Sequence, residues 1–424
     1  RNNLVIDEVT MQDLKLGELV DSVHQTQTAA GRRMLDYLVH FPLSNFGEIQ
    51  KRQAAFGELL ETQGLFGTLH RYFGFMAQHE EEFLRFTFPQ TDYERDSPRQ
   101  DDFQKARLYL GAIENIVAAL RDAKSERWKE LVHNVEHVLG RESMKKLYES
   151  VVKGTETDVM ELHPDTWEAS VTHPVVETLN RYGPILAALG TAHVTADLET
   201  GRFRMSPREE GDPPNIRVPI DMNLDLKRVR EHYFPDNSLF NLHYLMGAVE
   251  AYASLAMLHP TLLKTFPDMR EGDRFECDLD TPADPYLLMR VGNGIVPNDY
   301  VLDGENRGFV ISGPNTGGKT VYGFTLPKLA VLAQTGAGIP MRSGSMTVAD
   351  HIVTLRPASK EQLGEGRYLH SLVRGRELFT RATPRSLVAI DDFEGTDPED
   401  CYQQSLVILD QLKRLGSGVT MTVQ

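Results

Sequence analysis

Residues 308–320 read GFVISGPNTGGKT: an apolar run, a glycine-rich turn, and then a lysine and a threonine. The run GFVIS has the composition of a buried strand. The residues that follow the turn are mostly apolar up to Gln334, which predicts a helix over about 318–334. A strand, a tight loop and a helix in direct succession form the unit from which parallel α/β sheets are built.

The glycine-rich turn has the spacing G-x-x-x-x-G-K-[ST]. Glycines allow backbone N–H groups to turn toward a phosphate, a lysine in this place neutralises the outer phosphates, and the threonine hydroxyl can ligate Mg²⁺. The alternative is a chance glycine turn, which the strand–loop–helix context disfavours. We therefore predict a triphosphate site made by Gly313, Pro314, Asn315, Thr316, Gly317, Gly318, Lys319 and Thr320.

The chain after about residue 266 alternates short β-rich runs with helical stretches. HIVTL, SLVAI and the final GVTMTV are typical of strands, and helices are predicted around 368–381 and 399–414. This alternation predicts an α/β sheet with parallel members, in which ligands bind at the carboxyl ends of the strands.

Two acidic residues end one of these strands, in SLVAIDDF. We predict that Asp391 holds magnesium through water and that Asp392 is the catalytic carboxylate that activates or orients the attacking water. The alternative is a pair of solvated acids at a strand end. The phosphate loop upstream favours the first interpretation.

The chain before residue 266 has a different pattern. From Ala29 to about Lys264, apolar residues recur at helical spacing, as in GRRMLDYLVHF and HYLMGAVEAYASLAML. Near 193–222, HVTADLETGRFRM alternates around a turn, which predicts a small β insertion. We expect two domains, a helical one over 1–265 and an α/β one over 266–424.

Composition restricts the function classes. Lys and Arg number 45 against 61 Asp and Glu, a net charge of −16, so bulk positive potential for nucleic acid is absent and any DNA contact must be local. Cys277 and Cys401 lie far apart, which excludes a disulfide framework and favours a reducing, cytoplasmic location. No apolar run reaches the roughly 18 residues that span a bilayer, so no membrane role is expected.

Several segments together resemble the MutS family. They are GPNTGGKT, GIVPNDYVL before it, AQTGAGIP after it and DDFEGTDPED, supported in the front half by TAAGRRMLDYLVHFPL and IQKRQAAFGELL. The resemblance covers about 1–80 and 255–424, and Val296-Pro-Asn-Asp299 with Thr396-Asp-Pro398 is nearest the branch that lacks a mismatch-reading domain. It implies an α-helical core and lever domain followed by an α/β P-loop ATPase domain of the ABC type, with ATP or ADP and Mg²⁺ as cofactors.

The resemblance also implies a homodimer in which each nucleotide is closed over by a signature loop from the partner, here within 360–375. The usual serine is missing from Gly366-Arg367-Tyr368, Asp392 stands where the family has Glu, and Gln424 falls where the last strand has a sensor histidine. For the nucleotide base, the resemblance selects 295–298, with Ile295 as a stacking residue and Asn298 fixing the loop, or else a simple turn. ATP binding is thus expected, while the departures leave hydrolysis open.

Two functional hypotheses follow. The first is an ATP-switched dimer that binds mismatched or branched DNA in repair or recombination control. The second is a nucleotide-gated scaffold with weak or no ATPase activity that acts on ribosomes or protein partners. A transporter ATPase is a poor third, because no LSGGQ-like signature is present.

Four other features have more ordinary interpretations. His133 and His137 have metal-capable helical spacing but no third ligand nearby, and Phe46-Gly47-Glu48 matches a mismatch-reading motif at a helix start. Basic residues 32–33 and 51–52 are candidates for phosphate contact or for surface charge, and the acidic run 271–280 is expected on a solvent face.

Overall fold

The computed structural model describes residues 3–87, 100–141, 192–197, 202–207, 238–258, 264–314, 317–356, 367–391 and 398–423. In the first part of the chain the described helices are α1 Glu8–Asp13, α2 Leu16–Val23, α3 Ala29–His40, α4 Phe46–Glu61, α5 Leu65–Ala77, α6 Glu80–Thr87, α7 Gln100–Leu120, α8 Glu126–Leu139 and α9 Ser238–Met257.

The helices of this part start where their capping residues place them. Thr28 caps α3 by accepting from the N–H of Gly31, and Asn45 caps α4 by accepting from the N–H of Glu48 at 3.0 Å. The Phe-Gly-Glu motif at 46–48 is therefore the first turn of α4. Helix α9 packs against α3, α4, α5 and α8, and their buried side chains form the centre of the helical part.

The second part of the chain is α/β. Its strands are β4 Lys264–Thr265, β5 Asp268–Arg270, β6 Cys277–Asp280, β7 Tyr300–Leu302, β8 Gly308–Ser312, β9 Ile339–Pro340, β10 Ser343–Thr347, β11 His351–Leu355, β12 Leu387–Ile390 and β13 Gly418–Val423. Its helices are α10 Pro285–Val291, α11 Lys319–Gln334, α12 Arg367–Arg381 and α13 Pro398–Leu415. The predicted helices agree with α11, α12 and α13 to within one residue at most ends.

The main sheet has five parallel strands. With β1 Val5–Ile6, the order is β1-β11-β12-β13-β8. A second sheet, β5-β10-β6-β7, and the pair β4-β9 complete the part. The prediction of a helical part followed by an α/β part with a parallel sheet is confirmed.

The amino-terminal segment lies on the α/β part. Val5 and Ile6 pair with His351 and Ile352 at the sheet edge, and the Tyr286 hydroxyl of α10 donates to Glu18 of α2 at 2.7 Å. The sheet thus takes a strand from the range that we assigned to the helical domain. The domain boundary at 265/266 stays a prediction. Residues 3–23 precede that boundary in sequence, but they contact the α/β part.

A buried polar contact joins the two parts. The Gln334 side chain at the end of α11 is fully buried, donates to Leu43 O at 2.6 Å and to Ala349 O at 3.0 Å, and accepts from the Ala349 N–H. Arg52 of α4 is 6% exposed and donates to Thr335 O at 3.3 Å. Because every partner is a backbone group, the contact fixes the end of α11 relative to the helical part.

The acidic run 271–280 is only partly on a solvent face. Phe275, Cys277 and Leu279 are buried, and the alternation with exposed residues follows the pleat of β6. That prediction was therefore wrong for Phe275, Cys277 and Leu279, since acidic side chains on one face of a strand coexist with apolar ones on the other.

The predicted hairpin is present as β2 Ala192–Asp197 paired antiparallel with β3 Arg202–Pro207. The remainder of the predicted insertion, 208–222, lies outside the described residues. Across the residues that are described, no helix has both the length and the apolar character needed to cross a membrane.

Candidate nucleotide-binding site

The glycine-rich loop lies between the carboxyl end of β8 and the amino end of α11. Gly313 has φ +155° and Gly318 has φ +81°, a conformation that side-chain-bearing residues rarely adopt. Between them the Gly317 N–H donates to Pro314 O at 2.9 Å. Gly318 is the N-cap of α11, so the amino-terminal N–H groups of a 16-residue helix lie next to the loop.

Lys319 reaches across this loop. Its side chain is 7% exposed, and Nζ donates to Gly313 O at 2.7 Å. The ammonium therefore lies over the loop and beside the amino end of α11, where its charge and the helix dipole both favour an anion.

Asp391 follows β12 directly and is buried, with 6% exposure. Its Oδ1 accepts from Thr320 Oγ1 at 2.9 Å and from Thr422 Oγ1 of β13 at 2.8 Å. Its Oδ2 lies 3.3 Å from Nε of Arg356, the residue after β11. The carboxyl ends of three strands thus meet the first turn of α11 at this carboxylate.

The chemistry of these groups fits a magnesium ion. A threonine hydroxyl and a carboxylate are hard oxygen donors, the kind that Mg²⁺ prefers beside phosphates. The cation that now approaches Asp391, the guanidinium of Arg356, shows that the position accepts positive charge. Thr320 and Asp391 are the residues that would hold the ion, directly or through water.

The loop opens into a cleft of about 1000 Å³ between β8 and α10. One wall is aromatic: Tyr300 stacks on Tyr322 with ring centroids 4.6 Å apart, and Phe309 meets Tyr300 edge-on at 5.7 Å. Burial raises the pKa of Tyr300 far above its usual range, so its hydroxyl is a donor, and it binds Tyr322 O at 2.6 Å.

The segment before the phosphate loop forms the cleft mouth. Ile295 and Asn298 both line it, and the Asn298 side-chain amide donates to Val296 O at 3.1 Å. Val296 is 79% exposed at this mouth.

A buried ion pair lies at the inner end of the cleft. Lys328 Nζ is 2.7 Å from Asp284 Oδ2, and both side chains are less than a tenth exposed. Asp284 Oδ1 also accepts from Leu287 N–H and so caps α10. The pair joins α10 to α11 and fixes the width of the cleft.

Part of the predicted site lies outside the described residues: Asn315, Thr316, Gly366, Asp392 and Gln424. Arg367 and Tyr368 begin α12, which extends from the predicted signature loop. The roles predicted for these residues stay predictions.

Arg356 and Thr422 belong to the site but were not predicted from the sequence. Arg356 directly follows the β-rich run HIVTL, the same strand-end signal that singled out Asp391. Thr422 lies inside GVTMTV, where its hydroxyl gives no sequence signal.

The other candidate residues contribute nothing to this cleft. His133 and His137 are exposed on α8. Arg32 pairs with Asp21 and Asp36, and Lys51 pairs with Glu48 and Glu126. Arg52 is buried at the junction of the two parts, so neither the phosphate nor the surface-charge interpretation holds for it.

This fold and motif define a class: a parallel α/β sheet with a glycine-rich loop between a strand and a helix, joined to a helical part. Residues 309–422 match the family model MutS domain V. The DNA mismatch repair protein msh3 of Aspergillus fumigatus is 33% identical over 142 residues, 33% of this chain and 13% of that protein. The DNA mismatch repair protein MutS of Methanosarcina acetivorans is 28% identical over 175 residues, 40% of this chain and 19% of that protein.

Residues 309–422 are thus similar to MutS domain V, and these matches support the resemblance to the MutS family that the motifs indicated. The aligned segments cover less than a fifth of these two relatives.

Proposed function

We propose that this chain binds ATP with Mg²⁺ in the cleft beside the glycine-rich loop and that the bound nucleotide switches its conformation. The observation that carries the proposal is a pair of contacts at the amino end of α11: Lys319 donates to the Gly313 carbonyl of the glycine-rich loop, and the adjacent Thr320 donates to the buried Asp391. A purely structural role does not require a buried lysine that contacts a glycine-rich loop beside a threonine that contacts a buried carboxylate.

Each group has a physical task in this proposal. The N–H groups of α11 and the Lys319 ammonium bind the phosphate oxygens. Thr320 and Asp391 orient the metal, which when bound neutralises charge that develops on the phosphates. Residues 295–298 and the mouth of the cleft receive the base. Asp392 is proposed to orient the attacking water, and its carboxylate, one methylene shorter than a glutamate, makes slow hydrolysis the expectation.

The wider role is proposed to be that of an ATP-switched homodimer that binds mismatched or branched DNA, and this support comes from the relatives, which are named as DNA mismatch repair proteins. The helical part is proposed to act as core and lever, with Arg367 and Tyr368 at the start of α12 facing the partner's nucleotide. Buried backbone contacts from Gln334 and Arg52 give a route by which α11 moves the helices.

The acidic net charge of the chain favours a second candidate function. The net charge is −16, and the cations at positions 32, 51 and 52 are paired or buried. A nucleotide-gated scaffold that acts on ribosomes or protein partners, in the cytoplasm, therefore stays the second candidate. DNA contact, if made, must come from other residues of the chain.

The test is nucleotide binding followed by DNA stimulation. Lys319→Ala should weaken ATP binding on the order of 100-fold, because both the charge and the loop contact are lost. Lys413→Ala, on the exposed face of α13, is the matched control and should bind as the wild type does. Unchanged ATP affinity in the Lys319 variant would overturn the assignment. DNA-stimulated hydrolysis with branched or mismatched duplexes supports the repair role, and indifference to DNA supports the scaffold.

A further inference from the structure

The two carboxylate oxygens of Asp391 contact different groups of neighbours. Oδ1 accepts from the hydroxyls of Thr320 and Thr422, at 2.9 and 2.8 Å. A carboxylate oxygen has two lone-pair positions, so these hydrogen bonds use the capacity of Oδ1. Oδ2 is the oxygen left for a cation, and in this structure it faces Arg356 Nε at 3.3 Å.

A magnesium ion held through water and the guanidinium of Arg356 therefore need the same oxygen. The Asp391 side chain is 8% exposed and that of Arg356 is 35% exposed, so the acid is fixed and the arginine is the partner that has room to move. Two cations cannot both approach one buried oxygen without strong repulsion.

Arg356 has other contacts that would hold it after leaving Asp391. Its guanidinium lies 5.3 Å from the ring centroid of Phe324 on α11. Asp13 of α1 lies against Thr354, which comes two residues before Arg356 in the chain. Burial raises the pKa of Asp13, and the Thr354 hydrogen bond and the charges of Arg356 and Arg374 draw it back down. Asp13 is held in place by the Thr354 hydroxyl, 2.5 Å from its Oδ2.

We propose that Arg356 is a built-in competitor of magnesium: it occupies Asp391 until metal and nucleotide bind, and it then transfers toward Asp13 of the amino-terminal segment. This inference rests on the proposed nucleotide site and adds a regulation to it. The Mg²⁺ concentration that the site needs is set by the difference in free energy between the ion pairs of Arg356 with Asp391 and with Asp13.

The transfer would reach beyond the site. Asp13 and Arg374 both bind Thr354, through its hydroxyl and its carbonyl, and Arg374 of α12 also pairs with Asp7 at 3.0 Å. A charge that arrives at Asp13 therefore acts on the contact between α1 and α12. Metal binding and the position of the amino-terminal segment are coupled by this short network.

The experiment is a titration of Mg²⁺ against binding of a fluorescent ATP analogue at fixed nucleotide, with the half-saturating Mg²⁺ concentration as readout. Arg356→Gln removes the competitor and should lower that concentration by roughly fivefold, the worth of a partly exposed ion pair. Arg356→Lys keeps a cation and should stay near the wild type. Arg342→Gln, which removes an exposed arginine paired with Asp280, is the matched control and should not change it.

A second variant has the opposite sign. Asp13→Asn removes the alternative partner of Arg356 while keeping an acceptor for Thr354, so the half-saturating Mg²⁺ concentration should rise. An equal or higher Mg²⁺ requirement in Arg356→Gln, or no rise in Asp13→Asn, overturns the inference while nucleotide binding itself stands. A wild-type protein that binds no nucleotide, with or without Mg²⁺, overturns the proposed function and this inference with it.

Discussion

The hydroxyl of Thr320 donates to the carboxylate of Asp391 at 2.9 Å across 71 positions of sequence. The contact exists because β13 lies between β8 and β12, which brings the amino end of α11 over the carboxyl end of β12. Thr422 of β13 donates to the same oxygen from the strand between them. The carboxylate is therefore oriented by two hydroxyls.

Asp391→Asn tests whether the charge of this group holds a metal. The amide oxygen keeps the acceptor for both hydroxyls, while the negative charge is lost and an amide NH2 donor replaces the oxygen that faces Arg356. We expect affinity for Mg²⁺ in the presence of nucleotide to fall roughly 10- to 100-fold, measured by titration of the metal at fixed nucleotide. Nucleotide binding in excess chelator should change little.

The control for that experiment is Asp410→Asn, an exposed acid on α13 that pairs with Arg414. It should behave as the wild type. Equal metal affinity in the Asp391 and Asp410 variants would show that the carboxylate serves the hydroxyls and not a metal.

The contact between α1 and α12 gives a stability prediction. Asp7 accepts from the Thr10 N–H at 2.8 Å and pairs with Arg374 at 3.0 Å and with Arg381 at 2.7 Å. Asp7→Asn keeps the helix cap but leaves the buried Arg374 without this charge, so we expect a loss of about 2 kcal/mol in unfolding free energy. Urea unfolding at pH 7 measures it, with Glu8→Gln, an exposed neighbour, as the control.

The same variant has a pH signature. Burial opposes ionisation of Asp7, but the hydrogen bonds from Arg374 and Thr10 outweigh it and hold its pKa below the usual 3.8. A lowered pKa means that the stabilisation is present above pH 3.8 and disappears as pH falls through the folded-state value. In acid, the difference in unfolding free energy between the wild type and Asp7→Asn should therefore disappear. A constant difference at every pH would contradict this origin.

The sequence predicts those parts of the site whose residues lie close together along the chain. The phosphate loop and Asp391 follow from short patterns, since an apolar strand and its terminal polar residue are adjacent in the chain. β1 could not be predicted, because Val5–Ile6 is too short to show a period and is fixed by pairing with β11. Arg52 reads as surface charge, yet it is buried by Tyr252 and by the Thr335 carbonyl, 283 positions away.

Glu250 predicts a pH dependence within the helical part. Burial raises its pKa from 4.5 to about 7, although the N–H groups of Gln27 and Thr28 and the Thr28 hydroxyl all donate to it. A raised pKa means that its contribution to stability is complete below pH 4.5 and is lost as pH rises through 7. The loss amounts to about 3 kcal/mol.

Glu250→Gln isolates this effect, because a glutamine does not titrate. Glu80 and His243 also face the region, and burial lowers the pKa of His243, which acts in the opposite direction. Both remain in the variant, and because the charge of Glu80 helps to raise the Glu250 pKa, the difference between variant and wild type reports Glu250 together with this coupling. Urea unfolding from pH 5 to pH 8 should show the variant gaining on the wild type by about 2–3 kcal/mol. Glu61→Gln, exposed at the end of α4, should show no such gain.

Gly336 tests the junction between the two parts. It follows α11 with φ +91°, and a Cβ placed there would lie 2.5 Å from Cβ of Arg52. Gly336→Ala must therefore distort a backbone that favours glycine and also displace a buried arginine, so we expect a loss of about 3 kcal/mol in unfolding free energy. Gly74→Ala is the matched control: it lies within α5 with nothing inside 4 Å of the added methyl, and it should gain about 0.5–1 kcal/mol from helix propensity. If the two variants unfold at the same urea concentration, Arg52 moves to accommodate the added methyl group. The junction then does not transmit movement of α11 as a rigid contact.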